Sequence, residues 1–123
     1  KNEKLIVEGD FTEQGGYYSM QTLLRENPDA VFVASDVMAI GAIRAIQESG
    51  RRVPDDVAIV GFDDIPLSTI TDLELTTIRQ PVIETGVRAV EVLIELIENG
   101  TDFPQHIILD TKLIVRSSCG SKS

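Results

Sequence analysis

Apolar and polar positions change period repeatedly along this chain, and each change marks an element. Leu5, Ile6 and Val7 form a short apolar run that predicts a strand, and Gly9-Asp10-Phe11 leads it into a loop. Thr12 supplies an N-cap for a helix whose inner face holds Tyr17, Met20, Leu23 and Leu24, and Asn27-Pro28 ends it. Residues 30–34 (AVFVA) predict a second buried strand, after which Ser35-Asp36 opens a helix that runs to about Ser49 and stops at Gly50. Residues 66–74 read as irregular or as a short helix, and residues 76–79 as a short extended piece. Pro81 then starts the longest helix, with Ile83, Val87, Val90, Leu93, Ile94 and Ile97 along one apolar stripe and glutamates on the other face. Short strands at 105–109 and 112–115 precede a small polar tail.

The segment 53–64, VPDDVAIVGFDD, carries the most chemistry. Pro54 fixes φ and ends what precedes it. Residues 57–60 are a continuous apolar run, the pattern of a parallel strand covered on both faces. Gly61 allows a turn, and Asp63-Asp64 places carboxylates at the strand's carboxyl end. Strands alternating with helices predict an α/β domain with a mainly parallel sheet flanked by helices. In such sheets ligands bind at the carboxyl edge, where the strand ends offer Asp10 and Phe11, Ser35 and Asp36, and Asp63 and Asp64. An aromatic ring among hydroxyl and carboxylate acceptors suits a sugar or a base. Simpler roles compete: Asp36 as a helix cap, Asp63 as a loop residue, and Gln80, ahead of a proline, as a surface amide.

The second helix is too apolar for one amphipathic stripe. Either it is doubly buried, or its flank around Val37 and Ile40 meets another subunit. The stretch with Leu67, Ile70, Leu73 and Leu75 is similarly apolar for irregular chain.

Composition narrows the function. The length suits one domain, no apolar stretch is long enough to cross a bilayer, and no secretory signal opens the chain. A lone Cys119 fits a reducing cytoplasm, and the missing initiator Met marks the chain as a domain of something longer. Twenty acidic against eleven basic side chains give a net charge of −9, which opposes direct contact with DNA. His106 is the only histidine, so neither a metal site nor a cofactor is expected. No nucleophile–base arrangement or phosphate-cradling loop appears, and an enzyme is not expected. A phosphoacceptor receiver domain would share the size and acidity, but it lacks here the paired acidic residues after the first strand and the lysine before the last helix.

Together the motifs EGDFT (8–12), DAVFVASDVMAIGAIRAI (29–46), VPDDVAIVGFDD (53–64), LTTIRQP (75–81) and LIVRSSCG (113–120) resemble the effector-binding region of LacI/GalR-family transcriptional regulators. The resemblance implies that residues 1–123 are the C-terminal lobe of a periplasmic-binding-protein-like (type I) fold, lacking an N-terminal lobe and a helix-turn-helix headpiece. It implies a cytoplasmic homodimer that binds a small-molecule effector, a sugar ahead of a nucleobase, and reaches operator DNA only through the headpiece. Carried over by position, Phe11 packs on the effector, and Ser35, Asp63 and Gln80 contact it through polar groups. Val37, Ile40, Leu67, Ile70 and Leu73 fall at the family's dimer contacts. The alternative is a sugar-binding solute receptor of a transport system.

Overall fold

A computed structural model describes residues 2–66, 72–100 and 105–121. Four strands form one sheet in the order β1-β2-β3-β4: β1 (Ala30–Phe32), β2 (Ala58–Asp63), β3 (Thr76–Arg79) and β4 (Lys112–Ile114). The β1–β2 and β2–β3 pairs are parallel, and β4 runs antiparallel to β3. Three helices accompany the sheet, α1 (Glu13–Leu24), α2 (Asp36–Glu48) and α3 (Val82–Asn99).

The core lies where α2 is enclosed between α1 and the sheet. Met20 and Leu24 of α1, Ala39, Ala42, Ile43, Ala45 and Ile46 of α2, and Val57, Ile59 and Leu75 form one buried cluster. The excess of apolar residues on α2 is therefore explained by double burial. Its two helices approach closely through glycines: a methyl group on Gly41 would collide with the Glu13 carbonyl of α1, and one on Gly16 with the Met38 backbone.

Three expectations need correction. Residues 3–5 form a 3-10 turn, and Ile6 continues extended with no strand partner among the described residues, because a strand needs a ladder as well as an apolar run. Leu5, Ile6 and Val7 instead border an apolar groove along the free edge of β1, opposite Ala30, Val31 and Phe32. Residues 105–109 likewise make no strand. Gly61 sits inside β2 and makes no turn; its missing side chain leaves room for the Asp36 carboxylate, which a Cβ would strike.

Helix α3 stands apart from this core. None of its residues is buried, and its apolar stripe faces outward, with Ile83 85% and Ile97 75% exposed. The pattern was correct about amphipathicity, and the described residues leave that face exposed.

Candidate ligand-binding site

Because β1, β2 and β3 are parallel, the strand ends that lead to Ser35, to Asp63 and to Gln80 lie toward one edge. In the turn after residues 5–7, which are not a strand, Asp10 Oδ1 accepts from the Thr12 backbone N–H at 3.0 Å and from the Thr12 hydroxyl at 2.7 Å. Thr12 in turn caps α1 by accepting from Gly15 N–H at 2.9 Å. This linked turn holds Phe11 at φ 61° with its ring 67% exposed. A large aromatic ring held outward by its own backbone is suited to stacking on a flat apolar ligand face.

Ser35 ends the next strand region and caps α2, accepting from Met38 N–H at 3.2 Å. It is 5% exposed, so little of its hydroxyl reaches solvent. Asp36 is not the cap. Its carboxylate is fully buried, where Oδ1 accepts from the Thr77 hydroxyl at 2.6 Å and Oδ2 from Ile65 N–H at 3.0 Å. It thereby ties α2 to β3 and to the turn after β2, a structural role that neither the capping nor the ligand reading anticipated.

The end of β2 is the most constrained part of the edge. Asp63 and Asp64 adopt φ values of 122° and 60°, and consecutive non-glycine residues in that region cost of order 1–3 kcal/mol each. Gln80, just past β3, donates its side-chain N–H to Asp63 Oδ1 at 2.6 Å. Structure thus joins two residues that the sequence proposed separately. Among the described residues one carboxylate oxygen of Asp63 is engaged and the other can accept from a hydroxyl.

Behind Asp63, the Asp64 side chain is 8% exposed and receives two arginines. Arg79 Nε donates to its Oδ2 at 2.6 Å and Arg116 Nη2 to its Oδ1 at 2.8 Å. Burial pushes the Asp64 carboxyl up, but the hydrogen bonds from Arg116 and Arg79 outweigh it and hold the group below its ordinary value. Arg116 also donates to the Leu75 carbonyl at 2.9 Å. The sequence offered Asp64 beside Asp63 as a ligand acceptor, which its two arginines leave little room for, and gave Arg79 and Arg116 no role. The available signal for the arginines was their place at the close of each of two short apolar strands.

The dimer-contact residues divide. Val37 is 38% exposed, Ile40 only 8%, and Leu73 is partly buried against the core. Leu67 and Ile70 lie outside the described residues. Among the described residues no group of three or more His, Cys, Asp and Glu side chains is placed to hold a metal ion, and no helix is long and apolar enough to cross a membrane.

The family model of the periplasmic binding protein-like domain matches residues 1–119. The chain belongs to that family. Within it, the relatives are LacI-type regulators. The HTH-type transcriptional regulator CelR of Thermobifida fusca is 40% identical over 119 residues, 95% of this chain and 35% of its own length. A solved complex of transcriptional regulator CelR with cellobiose matches with a TM-score of 0.90 at 39% identity, covering 96% of this chain and 37% of that one. The lac repressor dimer bound to operator and the anti-inducer ONPF matches with a TM-score of 0.82 at 36% identity, covering 91% and 34%. These relatives regulate transcription and are not enzymes. This periplasmic-binding-protein-like chain spans about a third of their length.

Proposed function

We propose that this chain is the C-terminal lobe of the effector-binding domain of a LacI-type transcriptional regulator. It takes a small sugar against the carboxyl edge of its sheet, between itself and an N-terminal lobe. The observation that carries this reading is the Asp63–Gln80 pair. A carboxylate is fixed at the strand end by a strained backbone and a side-chain amide, and Phe11, just before α1, holds an aromatic side chain out to solvent. A fixed acceptor and a flat apolar ring are complementary to the hydroxyl edge and the C–H face of a pyranose. Cellobiose in the CelR complex is consistent with that class of ligand.

Two apolar surfaces support the lobe assignment. The α3 stripe and the groove between residues 5–7 and β1 are left for further chain to cover. The net charge of −9 opposes operator contact by this chain itself and so supports a separate headpiece for that task. The mechanism is binding without chemistry: a sugar with different affinity for two lobe arrangements shifts a cytoplasmic dimer between operator-competent and incompetent forms. A transport receptor is disfavoured because the relatives named above are regulators.

The test is calorimetric titration of the intact protein with a panel of mono- and disaccharides, cellobiose first, and with purine bases. Operator affinity is followed in parallel by fluorescence anisotropy. Saturable sugar binding that changes operator affinity supports the reading. Binding of a base alone would replace the sugar, and binding that leaves operator affinity unchanged would remove the regulatory mechanism.

A further inference from the structure

We infer that Asp64 is a positioning residue for the effector site, acting through the Asp63 backbone and joined by Arg79 and Arg116 to the two strands that flank α3. The inference rests on the reading of Asp63 as a ligand contact. Three features support it.

The first is backbone geometry. Asp63 at φ 122° and Asp64 at φ 60° occupy conformations that side-chain-bearing residues leave unless neighbours hold them. The Asp64 carboxylate is held by both arginines at 2.6 and 2.8 Å, and one residue further on Ile65 N–H is held by Asp36 at 3.0 Å. The turn is therefore anchored at two consecutive residues immediately after Asp63. Among the described residues Gln80 is the side-chain partner of Asp63, so the direction of Asp63 is set largely by what holds Asp64.

The second is the origin of the two arginines. Arg79 closes β3, pairs in register with Asp63 and immediately precedes Gln80 and the start of α3. Arg116 follows β4, the strand by which the chain returns after α3. One carboxylate thus ties the ligand-side turn to both the outgoing and the returning strand.

The third is completeness. The two arginines use both Asp64 oxygens, and at 8% exposure little of the carboxylate is left for a ligand. Asp63 keeps an oxygen open, whereas Asp64 does not. The neighbouring aspartates have different tasks, one to meet the ligand and one to hold its neighbour in place.

The experiment uses Asp64→Asn and Arg116→Lys in the intact protein, with two readouts. Hydrogen exchange of the peptide covering residues 61–66 is measured without ligand, and sugar affinity is measured by calorimetry, cellobiose first. Exchange at Ile65 is expected to accelerate in Asp64→Asn, with sugar affinity falling about tenfold or more and the thermal midpoint at neutral pH falling modestly. Arg116→Lys keeps one charge and is expected to lie between wild type and Asp64→Asn in both readouts. Unchanged exchange in both variants would overturn the inference, as would accelerated exchange with full sugar affinity. If the wild-type protein binds no sugar in the panel, the effector reading falls, and with it the assignment of Asp64 to that site. The exchange data would still decide whether Asp64 holds the turn.

Discussion

Gln80 and Asp63 meet across the ends of β3 and β2, the amide Nε2 donating to Oδ1 at 2.6 Å. The contact follows from parallel register: Asp63 stands opposite Arg79, and the next residue along β3 swings its side chain to the ligand edge. The pair is exposed at the edge of the sheet, so its hydrogen bond adds little to stability and chiefly orients the carboxylate.

Removing either partner should therefore act on binding more than on folding. Asp63→Ala is expected to weaken effector affinity by about tenfold or more, because it deletes a charged acceptor. Gln80→Ala should have a smaller effect, since Asp63 keeps its backbone. Titration calorimetry on the intact protein reads both, with operator affinity in the absence of effector as the control. Full effector affinity in Asp63→Ala would remove that residue from the site.

Asp36 should behave in the opposite way. Its carboxylate satisfies the buried Thr77 hydroxyl and Ile65 N–H, and Asp36→Ala leaves both without a partner. Each group left unpaired costs about 1–3 kcal/mol, so urea denaturation should show a large loss of stability. A variant with an unchanged midpoint would show that water replaces the carboxylate without cost.

Acid should loosen the same edge through Asp64. Its carboxyl sits below the ordinary value of 3.8 because hydrogen bonds from Arg116 and Arg79 overcome the cost of burial. A depressed value in the folded state gives stability that is complete above the unfolded-state value and lost as pH falls through the folded-state value. Lowering the pH from about 5 to about 3 should thus reduce the urea midpoint, and Asp64→Asn should flatten part of that fall. An identical pH profile in the variant would mean that other carboxylates account for the loss.

The dimer surface is best probed at Val37. It is 38% exposed at the start of α2, whereas Ile40 is nearly covered by its own chain. Val37→Asp should shift the sedimentation profile of the intact protein toward a lighter species with the fold retained. Ile40→Asp should instead destabilise the fold, because it buries an unpaired charge. If Val37→Asp sediments like wild type, the contact lies elsewhere.

Local pattern determined much of this protein. The Thr12 and Ser35 caps, the extent of α2, strand β3 at Thr76–Arg79 and the strand ending in Asp63 follow from apolar period, capping residues and proline, all of which act within a few positions. The same alternation brought Ser35, Asp63 and Gln80 toward one sheet edge, whereas Phe11 follows a segment that is not a strand. Tertiary structure alone decided what each element meets. The apolar excess of α2 was compatible with an interface or with double burial, and only the packing of α1 and the sheet shows how much of it is buried within the chain, with Val37 left exposed. Residues 5–7 and 105–109 had strand-like composition but no ladder partner among the described residues. The Asp36–Thr77 and Asp64–Arg116 pairs join residues 41 and 52 positions apart. Hydrophobic period records which face of an element is buried. It carries no record of the partner, because a distant contact depends on how strands register and where the chain returns.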